Sequence, residues 1–269
     1  MFPGNQRPPL LLLPYRNVEV VYDRFGQPHE VTKSWTIPCG CSSLLIAIPL
    51  ILLVKWLWPN VIPFDLFAFW TTHGDLTALP GDIWPFIVGG LVVTLYELLF
   101  RMTEEERLNF FFHWAYEGGF FHKSFIFYTI YGFLEEVCFR WVLFYSYIVG
   151  LTVANVLFFG FAGFGLFQWL FLHVFGPAAD FVTLHKLHDI LFGSSWVIGA
   201  AILSANGKFR QGHAYQGWIG WLWAWFGGMF LFLVMFHYGL PIAIGVHILY
   251  NLLLNWGIYF LTWIDYGGI

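Results

Sequence analysis

The sequence predicts an all-α, polytopic transmembrane helix bundle of about seven spans, with six and eight as the bounds, preceded by a short N-terminal hairpin segment. Two observations predict it. Only 10% of the 269 residues are charged, whereas 59% are hydrophobic and 22% aromatic; a soluble domain carries about 25% charged residues, and the mean hydropathy here is +0.68. The few charges are also unevenly spread. No Asp, Glu, Lys or Arg occurs from Gln211 to Ile264, a run of 54 residues, nor from Trp141 to Ala179. A bilayer-spanning helix needs about 20 apolar residues, so each run holds two.

Taken in chain order, residues 1–36 are the water-compatible part. "VEVVYDRFGQPHEV" alternates and then turns at Arg24–Pro28, which predicts a small hairpin at the membrane surface. The membrane domain is expected to fill 37–269. Its first span is Ile37–Leu57. Trp58–Asp82, rich in Pro, Asp and Thr and without Lys or Arg, is expected as an exposed loop. Ile83–Phe100 is the second span, with Glu97 near its far end, and 101–123 is an interfacial amphipathic segment. Further spans are expected at Ser124–Val149, Leu151–Phe175, Asp189–Ala205, Tyr215–His237 and Pro241–Ile264.

Orientation follows from the basic residues. Arg7, Arg16, Arg24 and Lys33 precede the first span, and Arg101, Arg107 and Lys123 follow the second, while the loop between has none. The positive-inside rule then places the N-terminus in the cytoplasm. A bacterial plasma membrane is expected in preference to an endomembrane. No internal repeat supports an inverted-repeat transporter, and no basic tract suggests nucleic acid. Cys39, Cys41 and Cys138 form neither a disulfide framework nor a paired zinc motif.

Ionisable groups inside a span cost about 2.5 kcal/mol or more and persist when paired, so each is a functional candidate. "GFLEEVCFRWVLF" places Glu135, Glu136 and Arg140 about eleven residues into their span, roughly 16 Å deep at 1.5 Å per residue. Glu136 and Arg140, four apart with the acid first, share a helix face and can pair. Glu135 is rotated by about 100° and has no partner on its own helix. The alternative is a buried ion-pair cluster that only locks helices together. Two further elements add to it: "FRQGH" puts Phe209 and His213 at i, i+4, and "HILYN" does the same for His247 and Asn251.

In that order, "EEVCFR", "FRQGH" and "HILYN" fit E-E-x-x-x-R, F-x-x-x-H and H-x-x-x-N. They resemble the three motifs of the CAAX-protease and bacteriocin-processing (CPBP) family of intramembrane proteases, whose members include prenyl-protein endopeptidases. The resemblance covers about half the chain, roughly residues 124–255. It implies an intramembrane endopeptidase acting on membrane-associated peptides, prenylated or leader-bearing. Glu135 and His213 would activate a water, His247 and Asn251 would stabilise the oxyanion, and Glu136, Arg140 and Phe209 would support them. A carboxylate withdrawn from water is a stronger base, and oxyanion donors contribute about 3–4 kcal/mol each. "FVTLH" gives His185 as an alternative to His213; the "HAYQGW" context and the 34-residue gap to His247 favour His213.

The resemblance leaves the metal open. Glu135, His213 and His247 are a chemically sensible zinc set, but they come from three separate spans, with no H-E-x-x-H pair. A metal-free glutamate protease requiring no cofactor is the preferred reading, with zinc as the alternative. Ser204 lacks a G-x-S-x-G context, and Asp180 and Asp189 are too far apart for an aspartyl pair. Two rivals remain: a non-catalytic scaffold or immunity protein of the same fold, and a membrane di-iron oxidoreductase. The second needs several histidine boxes, and "HKLHD", with His185 and His188, is a single partial one.

Overall fold

The computed structural model describes residues 18–22, 28–32, 41–96, 99–100, 120–160, 165–214 and 217–265. The predicted N-terminal hairpin is present as strands β1 (Val18–Tyr22) and β2 (Pro28–Thr32), antiparallel with Val20 opposite Glu30. Its turn, Cys39, Glu97 and the amphipathic segment 101–119 lie outside the described residues.

The rest is helical. The elements are α1 (Cys41–Leu57), a 3-10 turn at Ala68–Trp70, α2 (Leu79–Tyr96), α3 (Phe120–Glu136) and α4 (Phe144–Ala154). After them come α5 (Leu166–Leu170), α6 (Gly176–Val182), α7 (His188–Phe192), α8 (Trp196–Gly212), α9 (Gly217–Tyr238) and α10 (Leu240–Asp265). Wider π-helical turns at Val137–Leu143, Asn155–Gly160 and Phe171–Phe175 extend these helices. Among the described residues, four helices are long and apolar enough to cross a membrane: Leu79–Tyr96, Ser124–Leu157, Gly217–Tyr238 and Leu240–Leu261. Their outward faces carry large apolar side chains such as Leu91, Val92, Leu249 and Leu253, as a lipid-facing surface requires.

Three expectations need correction. The chain does not break at Gly150. Helix runs on to Leu157 without interruption, since a single glycine lowers helix stability without ending a helix whose neighbours stay apolar. The segment expected at Asp189–Ala205 instead starts at Trp196, where the Ser195 hydroxyl accepts from Val197 N and caps it. Finally, the loop after α1 is packed rather than wholly exposed. Ile62, Leu66 and Phe69 are buried in it. Lys55 Nζ donates to the carbonyls of Pro59, Ile62 and Phe64, and Trp141 Nε1 donates to Leu66 O at 2.6 Å. His73 bridges Thr71 O and Phe236 O. Backbone carbonyls that composition assigns to water are thus taken up by side chains from the bundle.

α9 is the central helix, with 67% of its span buried. It packs against α2, α8 and α10, while α3 packs along α10 and α8 lies against α4. Gly239, at φ +95°, ends α9, and a Cβ there would strike Thr71 O; the chain can therefore turn directly into α10 beneath the loop. Contacts of Ser124 with Trp256 and of Gly132 with Ile248 fix α3 antiparallel to α10. A Cβ on Gly132 would lie 2.8 Å from Ile248 Cγ1. The missing side chain lets the helices approach closely one turn before Glu136, as small residues do in membrane packing.

Candidate active site

The site is assembled where the end of α3 and its π-helical continuation, the last turns of α8 and the second turn of α10 meet. Glu136 and Arg140 have no exposed side-chain surface, and Glu136 Oε1 lies 3.0 Å from Arg140 Nη1. The turn between them is π-helical, a rare winding frequently found at functional sites. The same Oε1 lies 2.7 Å from His247 Nδ1. The other edge of that imidazole faces Glu135, with Nε2 3.7 Å from Oε2. Glu135 is the outermost member, its side chain 21% exposed. On its own helix, Tyr131 one turn earlier lies within electrostatic range of it.

α8 closes the other side. Phe209 is buried, with Arg140 Cζ 3.9 Å above its ring, an arrangement that stabilises a desolvated cation by about 2 kcal/mol. Its ring centroid is 4.4 Å from that of His213 and 6.1 Å from that of His247. His213 is half-buried just past the end of α8, with Nδ1 2.8 Å from Phe209 O. Glu135, His247 and Arg140 all lie within electrostatic range of it. Asn251, one turn beyond His247, is half-buried and has no hydrogen-bond partner among the described residues. The structure therefore brings together Glu135, Glu136, Arg140, Phe209, His213 and His247, with Asn251 on the adjoining turn.

His185 is not part of this group. It and His188 both place Nδ1 on the buried Asp180 Oδ2, at 2.8 and 3.1 Å, while their own side chains are exposed. Lys186 donates to Gly81 O, which puts this turn beside the start of α2. Ser204 donates back to Ala200 O. With regard to zinc, His247 has Nδ1 on Glu136, and among the described residues no group of three His, Cys, Asp or Glu side chains is arranged to hold a metal ion.

Three contributors were missed in the sequence. Asn206 is fully buried on α8 and donates from Nδ2 to Trp225 O at 2.7 Å. Phe232 on α9 gives Arg140 a second ring at 5.7 Å. Gly228 makes room for both polar groups, since a Cβ there would land on Asn206 Oδ1 and lie 2.9 Å from Arg140 Nη2. Asn206 was findable: it precedes Phe209 by three and His213 by seven, the spacing of one helix face. Gly228→Ala is expected to destabilise the protein by about 1–3 kcal/mol through overpacking, seen as a lower melting temperature in detergent. An unchanged melt would mean that the guanidinium and amide do not need this space.

No protein-family model matches the chain, and neither the curated proteins nor the solved structures contain a match to it, so the case for a function rests on the residues themselves.

Proposed function

We propose that the protein is an intramembrane endopeptidase of the CPBP type, hydrolysing peptide bonds of membrane-associated peptides. The observation that carries this reading is the meeting of Glu135, His213 and His247 from three separate helices around a buried Glu136–Arg140 pair. A pair that only locked helices would have no need of a further, partly exposed carboxylate or of two imidazoles beside it. Glu135 is the general base: it takes a proton from a water shared with His213 as the water attacks the scissile carbonyl, and returns it to the leaving amine. Asn251 supplies an amide N–H to the developing oxyanion. His247 faces the same water from the opposite side.

In this reading six helices cross the bilayer: α1, α2, α3 with its continuation, α8, α9 and α10. The Leu166–Val182 segment starts and ends on one side, since Lys186 reaches the start of α2. Arg7, Arg16, Arg24, Lys33, Arg101, Arg107, Lys123, Lys208 and Arg210 then share the N-terminal side, against Lys55 and Lys186 on the other. That asymmetry supports a cytoplasmic N-terminus.

The test uses purified protein in liposomes and a mixed library of lipidated and unlipidated peptides, read by mass spectrometry with and without a chelator. Cleavage by the wild type identifies the substrate class, and the chelator arm decides whether a metal takes part. Absence of any cleavage by well-folded protein would favour a scaffold of the same architecture. Asn251→Ala is expected to lower kcat by about 10²–10³-fold, the effect of removing one oxyanion donor, with melting unchanged because the amide has no hydrogen-bond partner among the described residues. A kcat equal to wild type would remove Asn251 from the site.

A further inference from the structure

We infer that Glu136 is a positioning residue that fixes the ring tautomer of His247, making His247 Nε2 a hydrogen-bond acceptor toward the reacting water rather than an oxyanion donor. This rests on the proposed hydrolytic site and assigns a different role to one member of it. Arg140 is permanently charged, and at 3.0 Å it keeps Glu136 as a carboxylate, which can only accept hydrogen bonds. The 2.7 Å contact between Glu136 Oε1 and His247 Nδ1 therefore requires the proton to be on Nδ1. One carboxylate oxygen serves both Arg140 and His247, and the other is buried without a hydrogen-bond partner among the described residues. Glu136 is thus held from α3 and aimed at a single imidazole nitrogen of α10.

The opposite nitrogen follows. Were His247 an imidazolium, its Nε2–H would be drawn to the Glu135 carboxylate in a charge-assisted bond of about 2.7–2.9 Å. The separation is 3.7 Å. At that distance the two groups face each other without a direct hydrogen bond. The neutral Nδ1–H tautomer satisfies both edges, and its charge balance suits a site deep in the membrane domain: Glu136 and Arg140 cancel, and the ring adds nothing. A carboxylate that orients a histidine in this way raises the basicity of the opposite nitrogen. Glu135 and His247 then both accept from the attacking water, and the oxyanion donor is Asn251.

The experiment is nitrogen NMR of protein labelled at histidine in detergent micelles, with the His247 signals assigned by their loss in His247→Gln. The wild type is expected to show a protonated Nδ1 and an unprotonated, acceptor-type Nε2. Glu136→Gln, whose amide oxygen can still accept, should keep that pattern. Glu136→Met alone leaves Arg140 without its anion, so the Glu136→Met/Arg140→Met double variant is measured beside it. There His247 should shift to the Nε2–H form, and kcat on any cleaved peptide should fall by about 10²–10⁴-fold with KM retained. An Nε2–H or doubly protonated ring in the wild type overturns the inference, as does an unchanged tautomer in the double variant. Because the NMR readout does not need turnover, a correct tautomer without any peptide cleavage would count against the protease reading and leave only the Glu136–His247 tautomer assignment standing, while the role toward a reacting water would fall with it.

Discussion

Glu135→Gln is expected to give a protein that is folded and inactive, with cleavage reduced by about 10²–10⁴-fold, the contribution of a positioned general base. The geometry supports both halves of that result. Glu135 is the one carboxylate of the pair that reaches a partly open surface, and the His247 imidazole Nε2 stands 3.7 Å from it. The amide has the same shape and gives up no short ion pair, so melting should be preserved to within about 0.5 kcal/mol, as for substitutions away from buried networks. Steady-state cleavage and a melt on the same preparation check both. A variant that retains turnover would remove Glu135 as base, and one that unfolds would make it structural.

Arg140→Ala is expected to do the reverse and damage the fold. Arg140 is fully buried between the Phe209 and Phe232 rings, 3.0 Å from a fully buried carboxylate. Its removal leaves Glu136 without its cation and opens a cavity at the junction of α3, α8 and α9. Breaking a buried pair from one side costs about 3–5 kcal/mol, enough to cut the yield of monodisperse protein sharply. Replacing both partners with methionine avoids the uncompensated charge and should recover most of that loss. Size-exclusion profiles and melting of the three proteins decide it. If Arg140→Ala is as stable as wild type, the pair is not what organises the site.

These two residues also show how far the sequence could be read. Four-residue spacing was enough to pair Glu136 with Arg140, and the rotation of about 100° separated Glu135 from them. Neither feature depends on a neighbouring helix. The link from Glu136 to His247 spans 111 residues and was not legible, because the face on which α3 meets α10 depends on close approach at Gly132. Gly228 was silent for the same reason: "FGGMF" marks a close contact without saying that an asparagine and a guanidinium fill it.

The loop after α1 illustrates a different limit. Its Pro, Asp and Thr content reads as solvent-exposed, yet Trp141, Tyr145 and Lys55 donate to its carbonyls and close the bundle at that end. Composition reports side chains and says little about where backbone groups find partners. Helix boundaries were displaced where the local signal was weak, as at Gly150, and a cap such as Ser195 became decisive only with the helix in view.

The central claim is that a water beside Glu135 is the nucleophile in peptide cleavage. The most direct test is to let wild type and Glu135→Gln act, in water enriched in heavy oxygen, on a peptide selected from the library, and to weigh the products. One heavy oxygen is expected in the newly formed carboxylate for the wild type, and about 10²-fold or more less product from the variant. Equal cleavage by both proteins, or a wild-type product without the label, would contradict it.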